Sequence, residues 1–119
     1  MDDEEGIRKT LARALQGMGH VVEMAKDGQM AIEVFQTARS LGCPFDAVML
    51  DLTVRGGMGG REALQALLKI DPAVKGIVMS GYSGDPAILA PDRNGFKGVL
   101  RKPFDPVELQ QTRGQIMQQ

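Results

Sequence analysis

The chain has 119 residues, 43% of them hydrophobic and 24% charged, with a formal net charge of -1. These values predict a single globular domain over 1–119 with one real core, and they exclude both disorder and a broad field for nucleic acid or anionic membrane. One cysteine, Cys43, rules out an internal disulfide, and without a CxxC pair or a histidine cluster there is no structural zinc site.

Cys43 is expected as a small buried hydrophobe. No signal peptide or apolar span of transmembrane length is seen, so the expected location is cytoplasmic, with no direct contact to membrane or nucleic acid.

In chain order, Met1-Asp2-Asp3-Glu4-Glu5 leads into Ile7, Leu11, Leu15 and Met18, one apolar stripe on a helix of roughly three turns. Acidic residues suit a helix N-terminus, but four in a row exceed what capping requires. Gly17 and Gly19 end the helix, and Val21-Val22-Glu23-Met24 reads as the next strand. His20, the one histidine, is assigned no role. Asp27-Gly28 turns the chain into a second helix carrying Ala31, Val34, Phe35 and Ala38 to about Leu41.

The stretch Ala47 to Leu50 reads as a strand buried on both faces, ending at Asp51 where Arg55 and the run Gly56-Gly57-Met58-Gly59-Gly60 begin. No Walker-type lysine follows, so this loop is expected to be a flexible connection. A helix from Arg61 to Ile70 stops at Asp71-Pro72. The strand Gly76 to Met79 then ends at Ser80-Gly81-Tyr82-Ser83. Asp85-Pro86 caps a helix that Pro91 must keep short, and Gly98-Val99-Leu100 leads into Arg101-Lys102-Pro103-Phe104. Asp105-Pro106 opens a last helix to about Met117 with a thin apolar face of Val107, Leu109 and Ile116.

Strands alternating with helices predict an α/β fold, a doubly wound parallel sheet with helices on both faces. Right-handed crossovers put all strand carboxyl ends on one edge. That edge would gather Asp2, Asp3, Asp51, Ser80 and Lys102. Three adjacent carboxylates call for a raised pKa or a hard cation, and Mg²⁺ suits oxygen ligands. Asp51 would be a nucleophile, with Ser80 and Lys102 facing the oxygens of a transferring phosphoryl group.

The pieces Met1-Asp2-Asp3-Glu4, Met49-Leu50-Asp51-Leu52, Ser80-Gly81 and Arg101-Lys102-Pro103-Phe104 span nearly the whole chain, and together they resemble the receiver domains of two-component response regulators. The glycine loop and the run Met79 to Ser83 look most like receivers of hybrid sensor histidine kinases. The resemblance implies a flavodoxin-like fold and a phosphorelay role. Asp51 would take a phosphoryl group from a histidine kinase or histidine phosphotransfer domain, as a switch with at most slow autodephosphorylation rather than a turnover enzyme. It further implies that Asp3, Asp51 and the Thr53 backbone carbonyl hold Mg²⁺, that Asp2 acts through water, and that the Lys102-Pro103 bond is cis.

The chain departs from that pattern at Val99, where a switch aromatic is usual, at Arg55, where proline is common, and at its start. Receivers carry a complete central strand ahead of the acidic pair, whereas here only Met1 precedes Asp2. A missing strand would open a gap of roughly 10 Å between its neighbours. The expectation is that the strand lies upstream in the natural chain, or that a segment exchanged from another copy, as in a dimer, replaces it. Two other functions fit the residues less well. One is a pseudo-receiver that binds a partner without phosphorylation, and the other is an aspartyl-nucleophile phosphatase, which would want an acid at Thr53.

Overall fold

The computed structural model describes residues 1–82 and 84–117, so Ser83, the last residue of the predicted polar run, lies outside the described residues. Helices α1 (Glu5–Gly17) and α2 (Gly28–Ser40) precede the first strand, β1 (Val48–Asp51). Then come α3 (Gly60–Ile70), β2 (Gly76–Ser80), α4 (Pro86–Leu89), a 3₁₀ turn (Asp92–Asn94), β3 (Gly98–Arg101) and α5 (Pro106–Met117). The strands form a parallel sheet in the order β1-β2-β3, with Asp51 opposite Met79 and Ser80 opposite Arg101.

Every residue of β2 is buried, as the middle strand of a sheet covered on both faces must be. On one face Phe35 of α2 and Leu64 and Leu67 of α3 pack with Leu50 and Val78. On the other, Leu11 of α1 and Leu109 and Ile116 of α5 pack with Ile77, Met79 and Leu100. Two helix starts are capped as expected, with Asp85 accepting from Ala87 N and Asp105 from Glu108 N, and Asp27, read only as part of a turn, caps α2 as well by accepting from Met30 N. Pro91 does keep α4 to four residues. The Lys102-Pro103 bond is cis.

Three expectations are corrected. Val21 to Met24 is not a strand: its backbone forms no hydrogen bond among the described residues, and Val21 is 93% exposed. A β-rich composition makes a strand only where a neighbouring strand supplies the ladder, and here a slot separates this segment from β1. Cys43 is exposed, because it lies in the turn beyond the end of α2 and not on a packed face. Val107 is exposed as well, since the buried face of α5 is made by Leu109 and Ile116.

The glycine loop is more constrained than a flexible link. Gly60 starts α3 directly against the end of β1, where a Cβ would lie 2.7 Å from the Asp51 carbonyl oxygen and 3.0 Å from Leu50 Cβ. Gly60→Ala is therefore expected to cost about 1–3 kcal/mol through displacement of the strand end, read as a lower urea midpoint at unchanged slope. An unchanged midpoint would show that the approach has room to relax.

Candidate functional site

The parallel order puts the carboxyl ends of β1, β2 and β3 side by side, delivering Asp51, Ser80 and Lys102 to one edge. The amino terminus arrives from the opposite side. Met1 pairs with β1, donating its ammonium to the Met49 carbonyl at 2.6 Å and accepting from Asp51 N at 3.0 Å. That rung carries Asp2 and Asp3 to the end of β1. The acids therefore are not helix caps: Glu4 occupies the cap position of α1 without a side-chain bond, and Asp2 Oδ1 accepts from Glu4 N at 2.9 Å.

Lys102 is the hub. Its Nζ lies 2.5 Å from Asp2 Oδ2 and 3.1 Å from Asp51 Oδ1, with Asp2 1% and Asp51 4% exposed. Asp3 is partly exposed, accepts from Arg55 N at 3.2 Å and shares a hydrogen bond with the Asp51 carboxyl. Ser80 is buried, but its hydroxyl is engaged with Tyr82, accepting from Tyr82 N at 3.0 Å. Thr53 is exposed in the loop after β1, where it lines a depression with Gly57, Gly59 and Arg61. Arg61 at the start of α3 in turn holds Asp85, the cap of α4, at 2.8 Å.

Burial raises the Asp51 pKa from its ordinary 3.8 to about 6; Lys102 opposes this, while Asp2 and the hydrogen bond with Asp3 add to it. Burial by itself would lower the Lys102 pKa, but the carboxylates of Asp2 and Asp51 more than offset it and the pKa is raised. For Asp3, burial works upward but is outweighed by the Arg55 and Asp3 backbone N–H groups and by Asp51 and Lys102, so its carboxyl titrates below the usual range. Burial also lowers the Met1 ammonium to about 6, against the pull of Asp2 and Asp51.

The response regulator receiver domain model matches residues 1–113. The chain belongs to the response regulator receiver family. A response regulator receiver protein of Anaeromyxobacter sp. is 33% identical over 103 residues, which are 87% of this receiver and 41% of that protein. The sensor kinase CckA of Brucella abortus is 34% identical over 112 residues, 94% of this receiver and 11% of that protein. The receiver thus spans less than half the length of either. Among solved structures, the chemotaxis protein CheY4 of Vibrio cholerae matches with a TM-score of 0.85 at 27% identity, covering 97% of this receiver and 92% of that chain.

The donor set of the receiver suits a hard cation. Carboxylate oxygens of Asp2, Asp3 and Glu4 lie within 4.8 Å of one another, and Asp51 adjoins Asp3. In the sequence Glu4 stands out only as part of the acidic start, and it is exposed. Its proximity to the other two depends on the turn into α1, which the run of acids alone does not specify.

Proposed function

We propose that Asp51 is a phosphoacceptor, taking a phosphoryl group from a phosphohistidine of a kinase or phosphotransfer partner. The supporting observation is the buried carboxylate of Asp51 at a strand end, which touches the Lys102 ammonium and adjoins a second acid, in a chain of the receiver family. An ionised Asp51 oxygen attacks phosphorus as the bond from phosphorus to the histidine nitrogen breaks; the donor's other ring nitrogen carries a proton, so the imidazole leaves neutral and an acyl phosphate remains on Asp51. With a pKa near 6, Asp51 is mostly ionised at neutral pH.

Lys102 stays charged and lies close enough to turn from Asp51 toward the new phosphoryl oxygens. Among the described residues the Ser80 hydroxyl donates only weakly, to the Tyr82 carbonyl at 3.5 Å, so its proton is available to another of those oxygens. Asp3, Asp51 and the Thr53 carbonyl would hold Mg²⁺, with Asp2 acting through water; the ion would neutralise charge on the phosphoryl group. Movement of Ser80 and Lys102 toward the phosphoryl group would reshape the loops after β2 and β3, a coupling typically of about 1–3 kcal/mol.

The test is incubation with acetyl phosphate and Mg²⁺ followed by intact-mass measurement. The expected result is a gain of one phosphoryl group that is absent in Asp51→Asn. No gain would favour a partner-binding module without phosphorylation, and rapid turnover of phosphate esters would favour a phosphatase.

A further inference from the structure

A chain of hydrogen bonds runs from the end of β2 to the start of α3. Ser80 Oγ accepts from Tyr82 N at 3.0 Å, and its hydroxyl donates to the Tyr82 carbonyl at 3.5 Å. That carbonyl also accepts from Asp85 N at 3.3 Å, closing a turn with the Tyr82 ring folded over it: a Cβ on Gly84 would stand 2.8 Å from the phenolic oxygen. Asp85 Oδ1 in turn accepts from Ala87 N at 2.9 Å and from Arg61 Nη2 at 2.8 Å. Arg61 adjoins Gly60, which seats α3 against the end of β1, so the turn is fixed to the sheet at both ends.

We propose that Arg61 is a positioning residue for phosphoryl transfer: through Asp85 it holds this turn on Ser80 and keeps the Ser80 hydroxyl off the Asp51 site until a phosphoryl group draws it in. The inference rests on Asp51 being the phosphoacceptor. It adds a residue that has no ion pair or hydrogen bond with Asp51 among the described residues.

The reason lies in the hydrogen-bond partners. For Ser80 Oγ to face a phosphoryl oxygen it must rotate away from Tyr82, and Tyr82 N–H then loses its acceptor unless the turn moves too. The turn moves only as far as Asp85 allows, and Asp85 is tied to α3 by Arg61. A tie that instead prepared Ser80 for the phosphoryl group would already aim the hydroxyl at Asp51, whereas here it is turned to Tyr82. Arg61 is exposed, so the tie is weak, and an ion pair of this kind biases an equilibrium about two- to fivefold. That weakness suits a switch, since a strong tie would hold Ser80 away permanently.

Arg61→Gln and Asp85→Asn each remove one charge of the tie, and asparagine keeps the oxygen that caps α4. Two quantities are read on the full chain: amide hydrogen exchange at Tyr82 without phosphodonor, and the rate of phosphoryl gain from acetyl phosphate at saturating Mg²⁺. Each variant is expected to speed both about two- to fivefold, with exchange at Val78 and Met79 of β2 unchanged. The double variant is expected to go no further than either single one, and Arg61→Lys, which keeps the charge, to stay near the parent. Unchanged or slower exchange at Tyr82, additive effects in the double variant, or equal speeding in β2 would overturn the proposal. Phosphoryl gain in the parent that the variants do not accelerate overturns this inference alone. No gain in any chain, parent included, overturns the phosphoacceptor reading and this inference with it.

Discussion

In metal-free buffer, Asp51→Asn is expected to melt on the order of 10 °C above the parent chain at pH 7.5 and close to it at pH 4. The Asp51 carboxyl is raised from 3.8 to about 6 by burial and by its acidic neighbours, Lys102 notwithstanding. The folded chain therefore binds this proton more tightly than the unfolded chain, and the stability so gained is complete below about pH 4. It is lost as pH climbs through 6, leaving an ionised, buried carboxylate that costs about 3 kcal/mol. Asparagine does not ionise, so the advantage of the variant should appear between these pH values and level off above them. For a domain of this size such a free energy moves the melting point by roughly the stated amount. Thermal melts across pH 4 to 8 in EDTA test it. An advantage that did not vary with pH would mean that Asp51 is not perturbed by folding.

Lys102→Ala is expected to lower stability by about 3–5 kcal/mol at pH 7.5, the cost of leaving a buried ion pair with one partner removed. The side chain sits between Asp2 and Asp51, both buried, and is the one cation in contact with either carboxylate among the described residues' ion pairs. Two remedies should restore much of the loss. Acidification to pH 4 protonates Asp51, and millimolar Mg²⁺ supplies positive charge to the same carboxylates. Urea unfolding at both pH values, with and without Mg²⁺, measures this. A loss below about 1 kcal/mol, or one that neither acid nor Mg²⁺ relieves, would refute the view of Lys102 as the neutralising group. Phosphorylation of the variant is expected to persist in part, with the downstream response abolished.

Much of the site was legible because the decisive constraint is topological. Once strands alternate with helices, right-handed crossovers force Asp51, Ser80 and Lys102 to one edge whatever the loops do. The caps at Asp85 and Asp105 were legible for a different reason, since a cap is satisfied within three residues of itself. What could not be read depends on distant partners. Val21 to Met24 has the composition of a strand and no ladder to join. The constraint on Gly60 comes from a carbonyl nine residues earlier, and nothing in the glycine run itself signals it. Likewise the sequence places Lys102 near the acids, but only coordinates show that it bridges Asp2 and Asp51 together.

The bond between Arg61 and Asp85 has a consequence for how α4 behaves. Asp85 Oδ1 accepts from Arg61 and also from Ala87 N, so one oxygen both tethers the start of α3 and closes the only turn of a four-residue helix. Exposed ion pairs are worth up to about 1 kcal/mol and weaken with salt. That is the same scale as the free energy separating two conformers of a signalling domain, so ionic strength alone should retune how often this turn opens.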